Sequence, residues 1–399
     1  MINTPQSDRV HIAILGKCNS GKSSLINAIT GQYTAVVSDT PGTTTDPVSK
    51  SMELPGIGAS LFIDTAGFDD LGVLGKERLE QTKRVIDKVD IAVMVFFDDD
   101  ITEEVRWIND LTDKGIPVLP VLNKKEQTTD AELLVRKITE QTTTPPVVVN
   151  AKTGEGVGEL IVALGKVDRE HKKVSITGNL ATEEDIVMLV MPQDIQAPQG
   201  RLILPQSQTI RDLLDKQCIV VSCTVEQITN TIAALVSPPK LVITDSQVLP
   251  LVNKQIPPES KLTTFSVLFA HYKGDIDAFM EGAKAIGQLT EHARVLIAEA
   301  CTHAPANEDI GRVKIPRMLR GRVGEGLRID VVSGSDFPSD LAPYDLIIHC
   351  GACMFNRRHV LSRIAQATSQ KVPITNYGIV IAYLTGILDR VVIPTTYLA

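Results

Sequence analysis

Three observations predict an α/β protein of three domains with mainly parallel sheets. At 399 residues the chain exceeds the ~250–300 residues at which a single core stops growing. Short, wholly apolar runs recur between amphipathic stretches, the pattern of strands buried on both faces and separated by helices. A glycine-rich turn joins the first such run to the first amphipathic stretch.

From His11 to about Val167, "HIAIL", "ASLFID", "IAVMVFF" and "VLPVLN" read as buried strands, with "GKSSLINAIT" and "GKERLEQTKRVIDKV" as helices. This sets a first domain over 1–170. The stretch "VDREHKKVSITGNLATEED" is polar without a sustained period, which makes 171–182 a linker. Strands "IVMLVM", "CIVVSCT" and "KLVIT" alternate with helices "SQTIRDLLDKQ" and "VEQITNTIAALV" in a small α/β domain over 183–262, closed by the prolines of "NKQIPPESKL". Over 263–399, "TTFSVLFA", "ARVLIAEA", "LRIDVVS", "YDLIIH" and "KVPITN" read as the strands of a third, doubly wound domain.

With 43% hydrophobic and 22% charged residues the composition is that of a folded globular protein, and a net charge of -8 argues against a broad nucleic-acid-binding surface. The first residues lack the apolar core of a signal peptide. No apolar run approaches the ~18 residues that span a bilayer. A cytoplasmic protein without membrane contact is expected, and there the six cysteines serve as buried residues, metal ligands or redox groups rather than as a disulfide framework.

"GKCNSGKS", Gly16 to Ser23, fits G-x-x-x-x-G-K-[ST] and stands between a strand and a helix, as that motif requires. Gly16, Asn19, Ser20, Gly21 and Ser24 shape a cradle whose N–H groups wrap phosphate. Lys22 neutralises the outer phosphates and Ser23 offers a hydroxyl to Mg²⁺. The plain alternative is a glycine turn with a solvated lysine. "DTAG" follows at the end of the next buried strand, where Asp64 reaches Mg²⁺ through water and the Gly67 amide senses a γ-phosphate. "NKKE", with Asn123, Lys124 and Glu126, and "NAK", Asn150 to Lys152 through Ala151, end later strands.

Ordered in this way, the motifs resemble a P-loop GTPase fold of the TrmE/Era branch. The resemblance implies GTP as the nucleotide, read by the 123–126 and 150–152 motifs. It also implies that "PGTTTD" is a switch segment, in which Thr44, with Thr43 next, closes on Mg²⁺. Two departures bear on function. Glu126 stands where the family has aspartate, one methylene shorter, so selectivity for guanine can relax. Phe68 stands where Ras-like enzymes place a water-orienting glutamine, so slow intrinsic hydrolysis is expected. Asn19 matches the asparagine with which potassium-dependent relatives hold K⁺ beside the phosphates; a loop-stabilising asparagine is its other reading.

The carboxy-terminal third carries a second chemistry. "EACTH", Glu299 to His303, follows one predicted strand, and "HCGAC", His349 to Cys353, ends another. Carboxyl ends of neighbouring parallel strands open onto one crevice, so Cys301, Cys350 and Cys353 can meet there. Thiolates select soft metals, which leaves zinc and iron–sulfur clusters as candidates. Cys-x-His and His-Cys-x-x-Cys behind a TrmE/Era-type GTPase domain and a middle α/β domain resemble the HydF family of FeFe-hydrogenase maturation GTPases.

That resemblance implies a 4Fe-4S cluster on Cys301, Cys350 and Cys353 with a labile fourth iron position. His349, His303 and Glu299 are its candidate ligands or hydrogen-bonding neighbours. It further implies a homodimer through the middle domain, and a GTP-hydrolysing scaffold that carries a di-iron subcluster precursor to apo FeFe-hydrogenase with radical-SAM hydrogenase maturases as partners. The rival readings are a tRNA-modifying GTPase of TrmE type, and an iron–sulfur-gated GTPase switch from which nothing is transferred.

Overall fold

The computed structural model describes residues 4–31, 49–68, 81–83, 85–123, 131–142, 144–170, 174–193, 200, 202–300, 309–334 and 336–395. They divide into two compact units, Met1–Lys172 and Lys173–Ala399. Both are α/β.

In the first unit six strands form one sheet: β1 (Val10–Leu15), β2 (Ser49–Leu54), β3 (Gly58–Asp64), β4 (Ile91–Phe96), β5 (Val118–Asn123) and β6 (Val147–Val149). Their order is β2-β3-β1-β4-β5-β6, with β2 antiparallel to β3 and the other pairs parallel. All six residues of β4 are buried, which is why its sequence is continuously apolar rather than alternating. Ile12, Ile14, Val93 and Val95 belong to one core layer, and Ala13, Leu15, Met94 and Phe96 to the other, because successive side chains of a strand point to opposite faces. The chain leaves β1 toward β3 on one side and β4 on the other, so the crevice at the carboxyl ends of these strands is the natural ligand site. The edge strand β2 escapes sequence reading because "SKSMEL" buries only Leu54 fully.

The second unit holds two four-stranded sheets whose pairs are all parallel. β7 (Ile186–Val190), β8 (Ile219–Cys223), β9 (Leu241–Thr244) and β10 (Lys261–Thr264) take the order β10-β9-β7-β8. β11 (Arg294–Glu299), β12 (Arg328–Ser333), β13 (Leu346–His349) and β14 (Ile374–Asn376) take the order β12-β11-β13-β14. One continuous core runs from Met188 and Val190 to Ile297, Ile347 and Ile381. A bridge between Leu262 and Val391 adds a backbone link from β10 to the end of the chain. The expected division at 262/263 falls inside β10.

"TTFSVLFA", expected from the sequence to be a strand, is mostly helix. Only its two threonines belong to β10, and Phe265–Lys273 is a helix whose first turn is capped by the Thr264 side chain, which accepts from the Val267 amide. A short apolar run does not separate strand from buried helix by periodicity; the hydroxyl cap decides it, an interaction worth ~0.5–2 kcal/mol. Asn376 ends β14 and caps the helix Tyr377–Leu384 in the same way. β11 lies between β12 and β13, so the carboxyl ends of β11 and β13 flank a second reversal of strand order. Among the described residues no helix is long and apolar enough to cross a membrane.

Candidate functional site

The glycine-rich turn leaves β1 and enters the helix Lys22–Thr30, which buries Leu25, Ile26 and Ile29 against the sheet. Gly21 has φ 93°, and a Cβ there would strike the Asn123 carboxamide. Asn19 adopts φ 60° without being glycine, the kind of backbone outlier that concentrates at functional turns. The buried Lys22 ammonium donates to the carbonyls of Gly16 and Lys17 at 3.0 and 2.8 Å, across the mouth of the turn.

A cavity of about 910 Å³ opens here, and most of the sequence-predicted residues line it. Asn19, Gly21, Lys22, Ser23, Ser24, Asp64 and Gly67 form one end; Asn123, Asn150, Ala151 and Lys152 form the other. Gly16 and Ser20 stand behind the lining, Ser20 fully buried. The Asn123 side chain is 4% exposed and joins the two ends. Its amide donates to the Ser20 carbonyl at 2.9 Å and its oxygen accepts from the Ala151 amide at 3.1 Å. Asn150 shapes the far loop by accepting from the amides of Lys152 and Thr153 at 3.0 and 3.1 Å.

Ser23 donates to Asp64 Oδ2 at 2.5 Å, bringing together the two residues expected to serve Mg²⁺. Burial raises the Asp64 carboxyl above its ordinary pKa, against the lowering effects of the Ser23 hydrogen bond and of Lys22 and Lys50. Its other oxygen, Oδ1, is buried without a hydrogen-bond partner. A half-desolvated carboxylate with an orphaned oxygen beside a hydroxyl fits a hard divalent cation. Thr44, Lys124 and Glu126 lie outside the described residues.

Sequence reading missed an acidic cluster behind the turn. Lys17 donates to Asp98 Oδ1 at 3.1 Å and to the Asp100 carbonyl, and lies 3.7 Å from Glu104 Oε2. Glu104 is 1% exposed, and burial pushes its carboxyl up to about 7. The "DDD" that follows β4 was the available signal. Thr65, Thr153 and Cys18 also line the cavity without belonging to the predicted set.

In the second unit, β13 ends at His349 and the next residues form the loop of Cys350 and Cys353. The Cys350 amide donates to the Ala298 carbonyl of β11 at 3.0 Å. Its Sγ accepts from the Ala300 amide at 3.0 Å and from the Ala352 amide at 3.4 Å. Between the cysteines Ala352 takes φ 54°, a left-handed conformation that costs an alanine ~1–2 kcal/mol. Amides aimed at sulfur favour thiolate over thiol, so the loop fits a soft metal. Cys353 lines a cavity of about 210 Å³ with Tyr377 and Phe269. Cys301 and His303 lie outside the described residues.

Both candidate side chains on the strand ends have partners. Nε2 of His349, a ring that is 0% exposed, faces Arg363 Nη1 at 3.1 Å, and its Nδ1 faces the Cys350 carbonyl at 2.9 Å. A guanidinium only donates, so Nε2 accepts and Nδ1 carries the proton. Burial, then the Arg363 charge, push its pKa down to about 3, leaving a neutral ring. Glu299 Oε2 accepts from Arg312 Nη2 and Nε at 2.8 and 3.0 Å and from Ser333 Oγ at 3.2 Å.

Three family models match the chain in succession. Residues 11–124 match the model described as 50S ribosome-binding GTPase, 176–274 the hydrogen maturase F dimerization domain, and 277–394 the hydrogen maturase F tetramerization domain. Among curated proteins the chain is 41% identical over 122 residues to GTPase Der of Wolinella succinogenes, covering 29% of this chain and 25% of that one. It is 34% identical over 160 residues to the tRNA modification GTPase MnmE of Nitrosomonas europaea, covering 39% and 34%. The chain thus spans a quarter to a third of the length of these relatives. A solved structure of Era from Aquifex aeolicus aligns with TM-score 0.35 and 20% identity over 54% of this chain and 92% of that one.

Proposed function

The chain belongs to the hydrogen maturase F family, and from that membership we propose a GTP-hydrolysing scaffold that holds a 4Fe-4S cluster and delivers a di-iron subcluster precursor to apo FeFe-hydrogenase. Its first unit is a GTPase domain. There the cradle amides and Lys22 bind the phosphates, with Lys22 exchanging the carbonyls of Gly16 and Lys17 for phosphate oxygens. Ser23 and Thr44 would hold Mg²⁺ directly and Asp64 through water; the metal supplies charge neutralisation on the phosphates. Asn123, Lys124, Glu126 and Asn150 to Lys152 hold the base. Phe68 in place of a water-orienting side chain keeps hydrolysis slow, and K⁺ on Asn19 speeds it.

A single hydrogen bond carries the cluster reading: the amide of Ala300, the residue directly before Cys301, donates to Cys350 Sγ at 3.0 Å. That contact ties the end of β11 to the thiol after β13, which supports the reading of Cys301 as a ligand beside Cys350. Cys301, Cys350 and Cys353 would hold the cluster, which supplies an iron able to bridge to cargo. His349 and Glu299 act from behind, His349 orienting the Cys350 carbonyl and Glu299 anchoring Arg312. The middle domain supports self-association: its edge strand β8 leaves Ile219 exposed, as are Leu214 and Val236 nearby in the chain. Radical-SAM maturases and the hydrogenase are the proposed partners.

The test is activation of apo FeFe-hydrogenase by protein isolated from cells that also express the maturases. Wild-type protein should activate it, and Cys301→Ser, Cys350→Ser and Cys353→Ser proteins should not. A cluster-loaded protein that activates nothing would leave the gated-switch reading in its place.

A further inference from the structure

Arg363, on the helix Arg357–Ser369, is 3% exposed. Its guanidinium lies 4.7 Å from the ring centroids of both Phe337 and Phe355. Nη1 donates to the neutral His349 ring, Nη2 donates to the Gly334 carbonyl, and Nε is buried without a partner. Burial lowers its pKa to about 10, so it keeps its proton at neutral pH. Among the described residues no carboxylate pairs with it, and the one group whose charge opposes that lowering is Cys350.

This is an unusual placement for a full positive charge. A buried cation is normally matched by a carboxylate, as Arg312 is by Glu299, since taking a lone charge out of water costs several kcal/mol. Every neighbour of Arg363 with an assigned contact is neutral: two phenylalanines, an imidazole and a peptide carbonyl. Among the described residues the group placed to supply compensating negative charge is the thiol of Cys350. Three thiolates outweigh the positive charge of an iron–sulfur core, and reduction adds one more electron to the same place.

We propose that Arg363 is the built-in counter-charge of the thiol centre, balancing the anionic metal group held at Cys350 and raising its reduction potential. The proposal rests on the proposed function, in which Cys301, Cys350 and Cys353 are the cluster ligands. It gives Arg363 a role that packing between two aromatic rings does not require, because packing alone would be served by a neutral side chain of similar length. A positive charge close to a redox group stabilises the reduced, more negative form.

Three full-length variants separate charge from shape: Arg363→Lys keeps the charge, Arg363→Gln keeps hydrogen bonding, and Arg363→Met keeps only bulk. Each is reconstituted anaerobically with iron and sulfide, then measured for midpoint potential by titration followed by electron paramagnetic resonance, and for the rise in Tm on loading. Met and Gln should shift the potential to more negative values and shrink that rise, while Lys stays near wild type. Equal potentials in all four proteins, or a Lys variant shifted as far as Met, overturn the counter-charge. A Met variant that fails to fold before iron is added overturns it too, because the unloaded protein would then need the cation for itself. A wild type that takes up no iron and sulfide removes the ligand reading and this inference together, whereas a loaded wild type with indifferent variants removes this inference alone.

Discussion

Asn123 donates its side-chain amide to the carbonyl of Ser20 at 2.9 Å, from the end of β5 to the turn after β1. The same carboxamide accepts from Ala151 at 3.1 Å. One buried side chain thereby fixes the spacing between the phosphate end and the base end of the nucleotide cavity. Asn123→Ala removes both bonds and leaves the buried Ser20 carbonyl unpaired, at ~1–3 kcal/mol, together with the half-buried Ala151 amide. GTP affinity should fall by roughly 10- to 100-fold and Tm by several degrees, read by fluorescent-nucleotide binding and thermal unfolding. Unchanged affinity would mean that the two ends are positioned independently.

Lys22→Ala and Ser23→Ala should each lower GTP hydrolysis by roughly 100-fold or more, the usual effect of removing one group that stabilises transferring charge. Ser23→Ala should also raise the Mg²⁺ concentration needed for half-maximal rate, since Asp64 loses the hydroxyl that shares its site. Iron loading should survive both changes, because the thiols belong to the other unit. Near-normal turnover in Lys22→Ala contradicts the assignment of the phosphate site.

The legible part of this site was its local part. Gly16, Gly21, Lys22 and Ser23 act within one turn, so their spacing in sequence is their spacing in space. The Asn123 bond to Ser20 joins residues 103 apart, and no periodicity announces such a contact. The same limit hid Arg363 behind His349 and Arg312 behind Glu299, since each partner sits on a different element. Strand assignment from the sequence held where strands are apolar on both faces, as in β4. It failed at β2, which is half exposed, and at Phe265–Lys273, where the helix cap of Thr264 outweighs a strand-like run of apolar residues.

Replacing Na⁺ by K⁺ should raise the hydrolysis rate, and Asn19→Ala should abolish the difference. Asn19 is exposed, holds a left-handed backbone and lines the phosphate end of the cavity, where the ion is proposed to bind. Equal rates in the two salts would leave it a loop residue.

Glu104 gives the first unit a pH dependence of known sign. Its folded pKa of about 7 lies above the ordinary 4.5, so between those values the folded protein binds more protons than the unfolded chain. Stability from this group is fully present below about pH 4.5 and is lost as pH rises through about 7. The loss amounts to at most roughly 3 kcal/mol. Glu104→Gln, which cannot ionise, should gain on wild type as pH rises from 5 to 7.5 in denaturant unfolding. A difference between the two proteins that is the same at both pH values would contradict this.

The most direct test of a cluster-bearing GTPase is metal analysis of anaerobically prepared wild-type protein, combined with electron paramagnetic resonance after reduction. Iron and sulfide in equal amounts, little zinc, and a signal from the reduced protein that Cys301→Ser, Cys350→Ser and Cys353→Ser each abolish are the predicted result. Hydroxyls are poor substitutes for soft thiolates, so the loss should be gross rather than partial. Stoichiometric zinc in the wild type, or iron retained in all three variants, would contradict the account.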